Sequence, residues 1–153
     1  MSALTADPQP LAVGAELSGP EIVVNADRLA AYGDGLLSSA AGRAVQVGSN
    51  IHTDVELARS QGLPAPIADG MLSTNYLSSM LTRAFGRFYI ENGELRTKFI
   101  KPVPVDTLLR VRGRVRAREE LGDGRVRYEL DVWTENGNGV KVVDGDAAVE
   151  VTE

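Results

Sequence analysis

Between Asp69 and Gly86, the residues Met71, Leu72, Tyr76, Leu77, Met80, Leu81, Ala84 and Phe85 recur at three- and four-residue spacing, the period of one helix face. Asp69 can cap the first turn and Gly86 can end the last. So broad an apolar stripe must be covered by a sheet or another helix, and this limits the folds open to the rest of the chain.

The residues after Gly86 read as the cover. Asn92-Gly93, between Phe88-Tyr89-Ile90 and Leu95, is a two-residue hairpin signal. Pro102 and Pro104 break the next stretch and predict an edge or a bulge. Asp123-Gly124 is the clearest turn. Centring a hairpin there sets Glu120 opposite Arg127, Arg118 opposite Glu129 and Arg116 opposite Asp131 on one face. The other face then pairs Leu121 with Val126, Ala117 with Leu130 and Val115 with Val132. A last strand is expected from Val140 to Val151, after the Asn136-Gly137-Asn138-Gly139 turn.

The same register bears on the arginines at 110, 112, 114, 116 and 118. They could form a landing strip for phosphate, because arginine forks match phosphate oxygens. Glu129, Asp131 and Glu135 lie across the hairpin, so a charge-balanced, solvated strand face is favoured. Arg114 is expected opposite Trp133, close enough for a cation–π contact.

The front half carries shorter signals. Residues 1–10 hold two prolines and no periodicity and read as a loose arm, leaving 11–153 as one domain. Gly14 and Gly19-Pro20 punctuate the way to an extended Ile22-Val23-Val24. Asn25 can cap a helix through Tyr32, ended by Gly33-Asp34-Gly35. Leu36 to Val47 contains no carboxylate. Thr53, with Glu56 three residues on, forms a capping box for a helix stopped by Gly62-Leu63-Pro64.

Composition removes whole classes of function. The chain of 153 residues is long enough to bury a core without staples, and its lack of cysteine rules out disulfides and a thiolate nucleophile. With one histidine and no cysteine, a metal site is not expected. A formal charge of −5 argues against nucleic-acid and anionic-membrane partners. No apolar run reaches the roughly 20 residues of a spanning helix, and the first residues lack a basic region followed by an apolar core. A cytoplasmic protein is expected.

The single histidine, His52, stands in Asn50-Ile51-His52-Thr53-Asp54, eighteen residues before Gly70. An imidazole beside carboxylates, followed by a glycine at a helix start, has the makings of a general base and an oxyanion donor.

Asn50-Ile51-His52-Thr53-Asp54, with Ala58, Gly62-Leu63-Pro64, Pro66-Ile67, Gly70-Met71 and Lys98-Phe99-Ile100-Lys101-Pro102-Val103, resembles the MaoC-like dehydratase family, relatives of (R)-specific enoyl-CoA hydratases. The resemblance implies a single α+β hotdog fold, in which an antiparallel sheet wraps a long central helix, over about residues 11–151. It also implies reversible hydration of an enoyl thioester carried on coenzyme A or a carrier protein, without a further cofactor, in a homodimer. His52 matches the family's catalytic histidine and Gly70 its oxyanion glycine. Asn50, Asp69 and Met71, beside these two, are expected to bind substrate.

The resemblance also exposes a departure. The family pattern Asp-x-Asn-Pro-x-His places an acid five residues before the histidine, where this chain has Val47, and Ser49 and Asn50 stand in the places of the Asn and Pro. Asp34, Asp54, Asp69 or a partner subunit would have to supply the acid. Asp34 is the first choice, because an altered loop could bring it back toward His52. Other chemistry on an acyl thioester, such as hydrolysis, isomerisation or cyclisation, and a non-catalytic thioester-binding scaffold remain open alternatives.

Overall fold

The computed structural model describes residues 9–152. Most of the expected N-terminal arm and Glu153 lie outside the described residues. A six-stranded antiparallel sheet curves around one buried helix, α3 (Gly70–Phe85). In chain order come β1 (Glu16–Ser18), β2 (Ile22–Val24), α1 (Ala26–Ala41), α2 (Val55–Ser60), α3, α4 (Arg87–Asn92), β3 (Glu94–Phe99), β4 (Thr107–Gly122), β5 (Arg125–Asn136) and β6 (Lys141–Thr152). The sheet runs β1-β4-β5-β6-β3, and β2 pairs with the other end of β4.

α3 behaves as its stripe predicts. Asp69 caps it through a 2.8 Å bond from the Met71 N–H, and Gly86 ends it. Leu72, Leu77, Met80, Leu81 and Phe85 are buried with Val111, Val115, Leu130, Val132 and Val149 of the sheet. Burying such a side chain contributes roughly 1.5–3 kcal/mol. Phe85 meets Tyr128 with ring centroids 5.6 Å apart. Met80 lies over Gly113, where a Cβ would stand 2.9 Å from its methyl carbon, so helix and sheet approach closely at this glycine. Met71 is the exception to the stripe: at 48% exposure it faces outward.

Four local expectations are corrected. First, α1 does not end at Gly33 but runs through Asp34 and Gly35 to Ala41. A Cβ at Gly33 would stand 3.3 Å from Val47 Cβ, so this glycine serves the close passage of a loop rather than a helix stop. Second, Asp54, not Thr53, caps α2, accepting from the N–H groups of Glu56 and Leu57 at 2.9 and 3.0 Å. A carboxylate suits the positive helix end better than a hydroxyl, and Thr53 instead donates to the Gly48 carbonyl at 3.1 Å. Third, Asn92-Gly93 is no hairpin. It closes α4, where Gly93 lets the chain pass against Tyr89 and the Asn92 side chain accepts from the Glu150 N–H at 2.9 Å.

The fourth correction is the β4–β5 register. Asp123-Gly124 forms the turn, with φ of 54° and 72°, both left-handed as a two-residue hairpin requires. Irregularities at Glu120/Gly122 and Val115/Ala117 then shift the pairing, first to Glu119↔Arg127 and finally to Val115↔Leu130. The total shift is two residues, which preserves the inward face: Val115, Val126, Leu130 and Val132 are all buried. Arg116, at the bulge, still reaches Asp131 at 3.0 Å and Glu129 at 3.1 Å. Trp133 faces Arg112 rather than Arg114, and the cation over its ring is Lys141, 4.9 Å from the centroid.

Candidate active site

His52 is positioned by a knot of short-range bonds. The Asn50 side chain accepts from the His52 backbone N–H at 2.8 Å, and the Asn50 carbonyl accepts from the N–H groups of Thr53 and Asp54 at 3.1 and 2.8 Å. Such Asx geometry is what asparagine before a turn favours. The Ile67 N–H bonds the Ile51 carbonyl at 3.2 Å, while its own carbonyl lies 2.7 Å from His52 Nδ1. On its far side this segment is held to the chain after Pro102 by Ala68 N–H to Val103 O and Val105 N–H to Pro66 O, each 2.8 Å.

The Ile67 contact assigns the tautomer. A carbonyl can only accept, so Nδ1 carries the hydrogen and, in the neutral ring, Nε2 carries the lone pair. The free nitrogen is therefore a base by construction.

Two cavities meet at this imidazole. The larger, about 350 Å³, is lined by His52, Asp69, Gly70, Ser73, Phe99 and Lys101, among others. Gly70 is the first residue of α3, so its N–H has no carbonyl one turn back to bond, and none of the described residues provides another acceptor. Phe99 lies directly against it: a Cβ at Gly70 would stand 2.8 Å from the ring. A side chain there would have to displace the ring, so glycine lets Phe99 close on the start of α3, where Gly70 lines the cavity. Ser73, one turn further along α3, is 1% exposed and also faces this space.

The second cavity is about 30 Å³ and lies under α1, lined by Leu29, Tyr32, Val47, His52, Thr53 and Asp69, among others. His52 and Asp69 line both spaces, so the two meet at these side chains. Val47 lines the chamber beside His52, in the neighbourhood where the family pattern would put a carboxylate. Tyr32 accepts from Asn75 Nδ2 at 3.3 Å, and its phenol is held above the usual tyrosine range, first by burial and then by the charge of Asp69.

The acids named from sequence have other partners. The Asp34 carboxylate accepts from the Val47 N–H, tying α1 to the following loop, and it lines neither cavity. Asp54 caps α2 and accepts from Ser49 Oγ at 2.6 Å. The N–H groups of Leu57 and then the Ser49 hydroxyl hold its pKa below the ordinary carboxylate value. Asp69 uses one oxygen as the α3 cap yet faces both cavities. Asn50 lines the small chamber, with its side-chain oxygen engaged by the His52 N–H, whereas exposed Met71 lines neither.

Sequence reasoning missed Ser73, Tyr32 and the cavity role of Phe99 and Lys101. Ser73 was readable from its spacing of three after Gly70 on the helix. From sequence Tyr32 reads only as the last residue of a short helix, because nothing local shows that it faces His52. Among the described residues no group of three potential ligands converges on a metal site, and no helix is long and apolar enough to cross a membrane. In the arginine stripe, Arg110 pairs with Glu21 at 2.6 Å, Arg112 with Glu135 at 3.5 Å and Arg118 with Glu120 at 3.0 Å, which favours a charge-balanced face over a phosphate strip.

Comparison with known proteins gives one family match and many fold matches. The MaoC-like domain model matches residues 49–136. R-hydratase PhaJ1 from Pseudomonas aeruginosa, in unliganded form, is 24% identical with a TM-score of 0.67, covering 94% of this chain and 83% of that one. The (R)-hydratase from A. caviae involved in PHA biosynthesis is 19% identical at a TM-score of 0.69, covering 94% and 98%. The MaoC-like dehydratase from Rhodospirillum rubrum is 20% identical at 0.71, covering 94% of each chain. No curated protein matches. The architecture is thus the α+β hotdog that the resemblance implied.

Proposed function

From the premise that the chain belongs to the MaoC-like domain family, we propose that it hydrates an α,β-unsaturated acyl thioester, or runs the reverse dehydration. The observation that carries this reading is that His52, with Nε2 free, and Gly70, with its amide free, line one cavity. The thioester carbonyl accepts from the Gly70 N–H at the positive end of α3. His52 Nε2 takes a proton from water as the water oxygen bonds the β-carbon. The π electrons move onto the α-carbon and carbonyl, where the Gly70 amide stabilises the enolate. The imidazolium then returns the proton to the α-carbon. One water adds across one double bond, and no cofactor is consumed.

The carrier is coenzyme A or a carrier protein, and Lys101 on the cavity wall offers a cation to the phosphates of either. We further propose a homodimer in the cytoplasm: the sheet ends in β1 and β3, and open strand edges favour pairing with a second copy.

Crotonyl-CoA tests the reaction directly, by following loss of enoyl absorbance alongside release of free thiol. Hydration without thiol release is expected. His52→Ala should lower kcat by at least ~10², the lower end for losing a general base, with the protein still folded. Thiol release without hydration would replace this reading with hydrolysis. Retained binding with neither signal would make the protein a thioester-binding scaffold.

A further inference from the structure

The chamber under α1 has few polar groups left to offer. Asn50 Oδ1 is engaged by the His52 N–H, the Thr53 hydroxyl donates to Gly48 O, and one oxygen of Asp69 is the α3 cap. Asp34 and Asp54, two of the acids the sequence offered as replacements, are held by Val47 N–H and by the cap of α2. The His52 imidazole, the Tyr32 hydroxyl, the second oxygen of Asp69 and the Asn50 amide N–H groups remain, and the last can only donate. The volume of about 30 Å³ admits one water, which needs two or more polar partners to remain in a cavity.

We propose that Tyr32 of α1 holds the reacting water against His52, in the role of the carboxylate that the chain lacks at Val47. This rests on the hydratase reading. Asn75 donates to the phenol oxygen, which leaves it a further lone pair. The water donates one hydrogen bond to His52 Nε2, which takes that proton, and one to Tyr32 Oη, which leaves the second hydrogen on the oxygen; its lone pair then points to the β-carbon where the two spaces meet at His52. Asp69, beside the forming enolate, carries a charge that would oppose it. Its part is to cap α3 and keep the phenol protonated. A phenol accepts more weakly than a carboxylate, so the arrangement works without an acid at Val47 but more slowly than with one.

Tyr32→Phe and Asp69→Asn separate the two groups, since asparagine caps a helix about as well as aspartate. With crotonyl-CoA, Tyr32→Phe should lower kcat by about 10²-fold, as for a misplaced reactant, with KM and the unfolding temperature unchanged. Asp69→Asn should cost much less. Unchanged kcat in Tyr32→Phe, or a larger loss in Asp69→Asn, would overturn the proposal. A high-resolution crystal structure of the unliganded protein should show one water within hydrogen-bond distance of both His52 Nε2 and Tyr32 Oη, absent from Tyr32→Phe. A dry chamber overturns the proposal whether or not crotonyl-CoA is turned over. A bridging water in a protein that does not hydrate would sink the hydratase reading alone and leave the water site standing.

Discussion

The two halves of this domain are held together by different forces. From β4 to β6 the chain is a continuous ladder, with β5 hydrogen-bonded on both sides and a buried residue at every second position from Val126 to Thr134. From α1 to His52 there is no ladder, and Leu29 is the one buried residue of a 16-residue helix. Side chains bonded to backbone replace it: the Asn25 cap, Ser38 with Val45, Asp34 with Val47, Thr53 with Gly48 and Asn50 with His52. Apolar burial is non-directional and large, whereas each polar tie is directional and modest. The β4–β6 ladder therefore carries most of the stability, and the segment from α1 to His52 positions groups proposed for chemistry.

Substitutions should separate the two. The largest effect is expected at Phe85, which is 1% exposed between helix and sheet: Phe85→Ala should lower the unfolding free energy by about 3–5 kcal/mol, measured by urea denaturation. Asp34→Ala removes a charge-assisted tie and should cost no more than about 1.5–3 kcal/mol, with faster amide exchange confined to α1 and residues 42–48. Equal losses from the two, or exchange spread across β4 to β6, would break the comparison. The smallest effect belongs to Asp54. Its pKa is lowered in the folded protein, so its cap is fully present above the unfolded carboxylate value and fades as pH falls through the folded one. Amide protection factors in α2, which correct for the intrinsic pH dependence of exchange, should fall over that window in the wild type and stay level in Asp54→Ala.

How far each half could be read in advance follows the same divide. The α3 stripe, its cap and its end were legible because helical period and capping are local. So was the inward face of β4 and β5, because a two-residue shift leaves alternation intact. The register was not, because bulges at Val115/Ala117 and Glu120/Gly122 depend on how the strands bend around α3. α1 was cut short at Gly33 because a glycine needed for contact with Val47 looks the same in sequence as one that ends a helix.

By itself, the sequence determined that one apolar helix would be buried by antiparallel strands, and it singled out His52 and Gly70 by identity and spacing. Both conclusions rest on local periodicity and chemistry. Only the tertiary structure decided which nitrogen of His52 is free, that Gly70 opens onto the same cavity, that Asp34 is tied to Val47 and that Tyr32 lines the space beside the imidazole. Those facts depend on contacts between segments distant in the chain, whose directions no local pattern encodes.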